Sequence, residues 1–382
     1  MIGMTSGPPD ERTRVVVIGA GQAGLSVSWY LRRLGLAVGR DLIVLDRGPG
    51  TGGAWQHRWE SLRLGAAHRV HDLPGMADLG LGFASADRGA PARDVVEEQY
   101  ARYEEAIGLD VRRPAEVREV TDLGDRLGVR WANRASSADG TIETEVVVTA
   151  TGTWGAPFVP WYPGRDVFAG RQLHTSDYRS ASELDGLDVV VVGGGTSAIG
   201  FVLELEDVAA STTWVTRRPV DWLDRGELDV ESAIEAVAAQ DRAARAGQAL
   251  PSIVSGTGVP RTRRFVSGIA RGVLVERPMF SSIEPDGVRW PDGSFAHADA
   301  IVWATGFRPE LRHLAALGLR SGDGGVRVEG GASTLDPRIF FAGYGPQAST
   351  IGANRAGRAI ARQVVARLSE RDASRRGGTG TG

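Results

Sequence analysis

The stretch Val15-Val16-Val17-Ile18-Gly19-Ala20-Gly21-Gln22-Ala23-Gly24 decides the fold. Four apolar residues in a row, all β-branched, suit a strand covered on both faces of a parallel sheet. The glycine-rich turn then opens Leu25 to Leu34, whose apolar spacing is helical and which Gly35 stops. A second apolar run, Leu42 to Leu45, ends at Asp46. Each part of this βαβ unit has a task in holding a dinucleotide. Gly19 makes the tight turn, Gly21 lets a pyrophosphate approach the backbone, and Gly24 lets helix and strand pack closely. The helix N-terminus, with Gln22 and Ala23 in its first turn, offers free N–H groups and the positive end of a dipole. Asp46, with Arg47 beside it, stands where an acid accepts bonds from the adenosine ribose hydroxyls; a surface acid at a strand end is the plainer alternative.

The same grammar returns further along. Asp188 to Val192 is a buried-strand run, Gly193-Gly194-Gly195-Thr196-Ser197-Ala198 is a GxGxxA turn, and Ile199 to Leu205 continues as a helix. Thr212 to Thr216 is the next strand, and it ends in Arg217-Arg218 instead of an acid. Paired guanidinium groups suit a 2′-phosphate, which points to NADPH over NADH. Gly193, Gly195, Thr196 and Ser197 are the phosphate-facing candidates here. Two such units in one chain imply two nucleotides, and FAD with NAD(P)H is the common pairing.

Composition narrows the chemistry. The chain has 382 residues, of which 42% are apolar, and contains no Cys, which excludes thiol nucleophiles, CxxC redox pairs and Fe–S ligation. All 44 basic residues are Arg, so lysine Schiff bases and a P-loop lysine are excluded as well. A net charge of −3 gives no global pull toward nucleic acid or anionic membrane. No apolar run is long enough to span a bilayer, and the first residues are polar, so a soluble, cytoplasmic protein is expected. His68 and His71 are spaced i, i+3 but no third ligand is visible, and His297 and His313 show no partner cluster, so no metal is expected.

Two further segments resemble each other. Val146 to Gly152 and Ile301 to Gly306 are apolar strands that end in Ala-Thr-Gly, each followed by an aromatic residue and a proline. They suit crossings between two lobes, with Thr151, Gly152, Thr305 and Gly306 beside the nucleotides. A helix is expected near 94–108, short strands near Val117, Val129 and Val146, and helical structure over 225–270, clearest from Asp229 to Ala246. A strand from Ile339 leads into Gly343, and a helix follows over about 351–368. The expected fold class is α/β, with two Rossmann-like three-layer dinucleotide-binding domains, the second inserted into the first and carrying a helical insertion. The first domain covers 12–160 and 300–370, the second 165–299, and 1–11 and 371–382 are expected to be flexible.

Taken together, these motifs resemble the class B flavoprotein monooxygenases, the flavin-containing monooxygenase group. The resemblance rests on both glycine-rich turns, the Arg pair, both Ala-Thr-Gly exits, Gly52-Gly53-Ala54-Trp55 and Trp59-Glu60-Ser61-Leu62-Arg63-Leu64. Its most diagnostic segment runs from Phe168 through Gly170 and His174 to Tyr178, matching the fingerprint FxGxxxHxxx(Y/F). The ending Tyr178-Arg179 departs from the Baeyer–Villiger branch and tilts toward N- and S-oxygenation. Tyr344, where related reductases carry an acid, departs from a ribityl contact.

The resemblance implies FAD held by the first unit, with Gly53, Trp55 and Gly343 among its contacts, and NADPH held by the second. It implies hydride transfer to the flavin, a C4a-peroxyflavin formed with O2, and transfer of one oxygen atom to a small organic substrate. Baeyer–Villiger or oxidative decarboxylating chemistry, and a reductase passing electrons to a partner, are the alternatives; a non-enzymatic redox sensor is a third. Trp59, Arg63 and His68, with His57, are the candidates for the flavin face. No nucleic-acid or membrane partner is implied, and a homodimer is compatible.

Overall fold

The computed structural model describes residues 11–67, 70–223, 230–251, 258–348 and 350–377. Two parallel sheets organise it. The first has seven strands in the order Val328–Glu329, Ala332–Ser333, Ile339–Phe341, Val146–Thr149, Val15–Ile18, Leu42–Leu45 and Val111–Arg112. From Ile339–Phe341 onward the pairings are parallel, and Val15–Ile18 sits in the middle, with Val15 to Val17 fully enclosed. This is the environment that a continuous β-branched run requires.

Helices α1 (Gln22–Arg33) and α2 (Ala92–Ala106) cover one face together with the last helix, Thr350–Gly377. The last helix packs on α1 so closely that a Cβ on Gly357 would overlap the Ser26 side chain. The opposite face is covered by an antiparallel layer, Glu116–Asp122, Leu127–Ala132 and Asp139–Thr144, with Leu314, Leu317 and Leu319. The first lobe therefore has helices on one side of its sheet and strands on the other.

The second sheet has five strands, all paired in parallel, in the order Glu276–Pro278, Ser211–Thr216, Asp188–Val192, Ala300–Trp303 and Arg171–His174. Helices α3 (Thr196–Glu204) and Arg263–Ala270 lie on one face, and a three-stranded meander, Ser282–Glu284, Gly287–Arg289 and Phe295–His297, covers the other. The helix Val230–Ala246 falls in the expected helical stretch, and its last turn packs Ala244 against the first lobe.

Two expectations are corrected. Ala300–Trp303 pairs within the second sheet, so the chain returns to the first lobe after this strand and not at residue 300. The last helix runs on to Gly377, so 371–377 is not a flexible tail. Arg371 and Arg375 hold that turn against Asp125 and Glu145. Residues 1–10 and 378–382 lie outside the described residues.

The two chain crossings run side by side. Phe158 N–H donates to Gly306 O at 3.0 Å, Arg308 N–H to Ala156 O at 2.8 Å, and Glu310 N–H to Gly152 O at 3.0 Å. Pro157 and Phe307 form an antiparallel bridge between them. The two Ala-Thr-Gly exits are thus the two strands of one ribbon joining the lobes.

Candidate functional site: two nucleotide cradles and their junction

A cavity of about 540 Å³ opens where the Val15–Ile18 strand hands over to α1. Gly19, Gly21, Gln22 and Ala23 line it, with Asp46, Arg47, Gly53, Trp55, Thr151, Gly152 and Gly343. Every cofactor candidate from Gly19 to Gly152 except Gly24 is therefore in its wall, and so is Gly343. Gly24 works from behind, because a Cβ there would overlap the Gly19 carbonyl oxygen and push helix from turn. Gly19 has φ +104, and a Cβ on it would come within 2.5 Å of Ala150 O. Gly21 differs: a Cβ there meets nothing closer than Gly53 Cα at 3.8 Å. The space it leaves open belongs to the cavity.

Helix α1 begins at Gly21 with no side-chain cap and no acid in its first turn. The turn that opens this helix faces the cavity, an arrangement that suits a phosphate. Asp46 is buried and accepts from Ala20 N–H at 2.6 Å and Gly48 N–H at 2.7 Å. Its carboxylate braces the glycine turn while it faces the cavity; an ionised carboxylate has about four acceptor positions, so two backbone donors leave it capacity. Gln347 also lines the cavity, and its Oε1 is buried with no hydrogen-bond partner. The orphaned acceptor, the uncapped helix and the glycine cradle all fit FAD.

Arg47 lies 3.8 Å from Glu310. Burial opposes ionisation of Glu310, but the forked hydrogen bonds and charge of Arg312 outweigh it and hold the carboxyl below its usual range. His313 is enclosed, contacts Thr149 Oγ1 through Nε2 at 2.9 Å, and is pushed down to about 4 by burial, so it is neutral at pH 7.

The second cradle repeats the first. Gly193 has φ +142, and a Cβ on it would overlap Ala304 O, as one on Gly19 would meet Ala150 O. Helix α3 starts at Gly195 without a side-chain cap, with Thr196 and Ser197 in its first turn. Ala198 is fully buried where the first cradle needs Gly24. Arg217 and Arg218 are exposed at the strand end, and no ion pair joins either to a described residue.

Thr305 and Gly306 do not line the cavity. The Thr305 hydroxyl donates to Phe158 O, and Gly306 O accepts from Phe158 N–H and contacts His174 Nε2 at 2.9 Å. They belong to the ribbon. The fingerprint explains itself in the same way. Phe168 is buried, and a Cβ on Gly170 would overlap Asp299 O. His174 grips Gly306 and packs edge-on to Phe307, and burial lowers its pKa. Tyr178 donates to Glu204 Oε2 at 3.1 Å.

The flavin-face candidates fare differently. Trp59 is buried against Phe201 and Tyr178 in the core of the second lobe, so it is a clamp between lobes and not a cavity residue. Arg63 is exposed and outside the cavity wall, and its backbone bridges to Pro91. His68 lies outside the described residues. His57 does line the cavity, stacks on Trp154, and is held below its usual pKa by burial and by Arg179 and Arg47.

His297 has partners after all: its ring lies 3.4 Å from Asp299, and with Asp188 the three place ligand atoms within 4.8 Å of one another. These carboxylates already accept from Asp188 N–H and Ser211 Oγ. Sequence spacing could not reveal this cluster, because Asp188 stands at the head of a neighbouring strand, 111 residues from Asp299. Trp154, Gln347 and Arg58 were also missed. Trp154 stacks on Phe307 with ring centres 4.9 Å apart.

Among the described residues no helix is long and apolar enough to cross a membrane. Residues 16–242 match the model of a family described as pyridine nucleotide-disulphide oxidoreductase. A solved flavin-containing monooxygenase from Stenotrophomonas maltophilia is 33% identical with a TM-score of 0.76, covering 93% of this chain and 99% of its own. An uncharacterized oxidoreductase, CzcO, of Bacillus velezensis is 26% identical over 85% of this chain and 90% of its own length. The indole-3-pyruvate monooxygenase YUCCA1 of Oryza sativa subsp. japonica is 27% identical over 81% of each.

Proposed function

The chain belongs to the pyridine nucleotide-disulphide oxidoreductase family and to its flavin monooxygenase relatives, and on that premise we propose that it is an FAD- and NADPH-dependent enzyme that inserts one atom of O2 into a small organic substrate, at a soft nitrogen or sulfur centre. The absence of Cys excludes a dithiol step in this member. One observation carries the reading. The molecule has two equivalent uncapped helix N-termini, at Gly21 and Gly195, each behind a glycine pressed onto the alanine of an Ala-Thr-Gly exit.

In this reading Gly21, Gly53 and the start of α1 receive the FAD pyrophosphate, and Asp46 and Arg47 face its adenosine end. Trp55, His57, Gly343 and Gln347 form the wall at the flavin end. Thr196 and Ser197 receive the second pyrophosphate, and Arg217 with Arg218 takes the 2′-phosphate of NADPH. Bound FAD supplies hydride acceptance and oxygen activation. The protein holds the two nucleotides on one ribbon-linked frame and lines the flavin end with apolar rings that exclude water.

The test is aerobic NADPH turnover over amines, sulfides, ketones and organic acids under labelled O2. Product carrying one labelled atom, formed only with NADPH, supports the proposal. NADPH oxidation that reduces dyes and labels no product would assign the reductase alternative. Gly21→Val should fold and yet purify without its yellow colour, because the added methyls fill the pyrophosphate space.

A further inference from the structure

Arg58 has no role in the cradles, yet it occupies the junction between them. Its guanidinium carbon lies 4.4 Å from the ring centre of Trp154, 5.6 Å from Trp55 and 5.9 Å from Trp59. Its Nε is enclosed and has no hydrogen-bond partner, and no described residue makes an ion pair with it. Burial alone lowers its pKa, to about 10, so it remains a cation at neutral pH. Ring faces attract a guanidinium and recover part of the desolvation it suffers, but they satisfy none of its five donors. Arg312, near the cavity's other end, is forked onto a carboxylate, and Arg47 lies close to the same one.

A second cation stands next to it. Arg179 donates to Ser176 O at 2.7 Å, Tyr178 O at 3.3 Å and His57 O at 3.4 Å, the last being the carbonyl directly before Arg58. All three acceptors are carbonyls, so its charge is also uncompensated. Trp55, His57 and Trp154 line the cavity, while Trp59 is sunk in the second lobe. Arg58 is therefore held at the edge where the two lobes meet, between flat apolar walls. A fixed guanidinium with free donors matches a planar oxyanion.

We propose that Arg58, with Arg179 beside it, is a carboxylate receptor at the lobe junction, and that the enzyme's substrates are organic acids with an apolar body. This rests on the monooxygenase reading for the word substrate; the anion site itself does not. Phosphate of the second nucleotide is the other source of an oxyanion, and the test separates the two.

FAD-loaded protein is titrated with benzoate, phenylacetate and 3-phenylpropionate, each against its neutral amide, and separately with NADP⁺, following flavin absorbance and tryptophan fluorescence. At least one acid should bind about tenfold tighter than its amide, as expected for a charge-assisted pair. Arg58→Gln should bring that acid to the level of its amide and leave flavin content and NADP⁺ affinity unchanged, and Arg58→Lys should retain part of the preference. Equal binding of acids and amides by the wild type, or an intact preference in Arg58→Gln, overturns the proposal. So does a loss confined to NADP⁺, which would make Arg58 a cofactor residue. If Arg58→Gln fails to hold flavin, Arg179→Gln on the exposed side must weaken the same acid about threefold, or the proposal falls. A wild-type protein that takes up no FAD would defeat the monooxygenase reading instead, and colour reports that before any acid is added.

Discussion

The two glycine-rich turns are built alike and finished differently. Each places its first glycine against the alanine of an Ala-Thr-Gly exit and starts an uncapped helix. At the third position the first turn admits no side chain at all, whereas the second accommodates the methyl of Ala198. At the end of the following strand the first lobe has a buried acid that braces its own turn, and the second has two exposed arginines that touch no acid. The first cradle is welded into its lobe, and the second ends in two exposed cations. On the proposed reading, a resident cofactor in the first and an exchanging one in the second would call for this division.

The largest expected effect breaks the first weld. Gly24→Ala forces a Cβ onto the Gly19 carbonyl and should cost about 4 kcal/mol or more, whereas Ala198→Gly should cost about 1 kcal/mol. Thermal melts of the two variants measure the asymmetry, and equal melting temperatures would erase it. Acid comes next. The folded-state pKa of His313, about 4, is below the ordinary 6.5, so the unfolded chain takes its proton first. Stability from this site is complete above pH 6.5 and is lost as pH falls toward 4, by about 3 kcal/mol. Denaturant midpoints across that window should flatten in His313→Gln. Third, Arg217→Ala with Arg218→Ala should weaken NADPH by about 2 kcal/mol more than NADH and leave the unfolding free energy within about 0.5 kcal/mol of wild type. An equal loss for both nucleotides removes the 2′-phosphate role. The smallest effect is Asp46→Asn, which keeps one acceptor for Ala20 or Gly48 and should cost about 1 kcal/mol by melting, with weaker flavin retention.

The cradles were legible because their chemistry is local: strand, turn and helix lie within a few dozen residues, and each glycine has its own steric reason. The junction was not. Trp59 and Arg63 follow the Gly52-Gly53 turn closely in sequence, but the chain leaves the cavity at once and drives Trp59 into the other lobe. Thr305-Gly306 repeats Thr151-Gly152 in letters, yet only the earlier pair lines the cavity, because the later one is consumed by Phe158 and His174. Arg58 carried one faint signal, a cation between tryptophans, which says nothing until the missing carboxylate is seen. The strand Asp139–Thr144 was unforeseen because it opens on Asp139-Gly140 shortly after Ser136-Ser137, which reads as a loop, and pairing with Leu127–Ala132 overrides that preference.

The paired crossings have one more consequence. Ala156 and Arg308 are hydrogen-bonded neighbours across the ribbon, so everything between them leaves and returns at almost one point. A body attached in that manner is a cassette. It can be exchanged for the corresponding module of a relative with the paired ends kept in place, provided the new module brings a counterpart of the Val230–Ala246 helix, whose Ala244 packs into the host core.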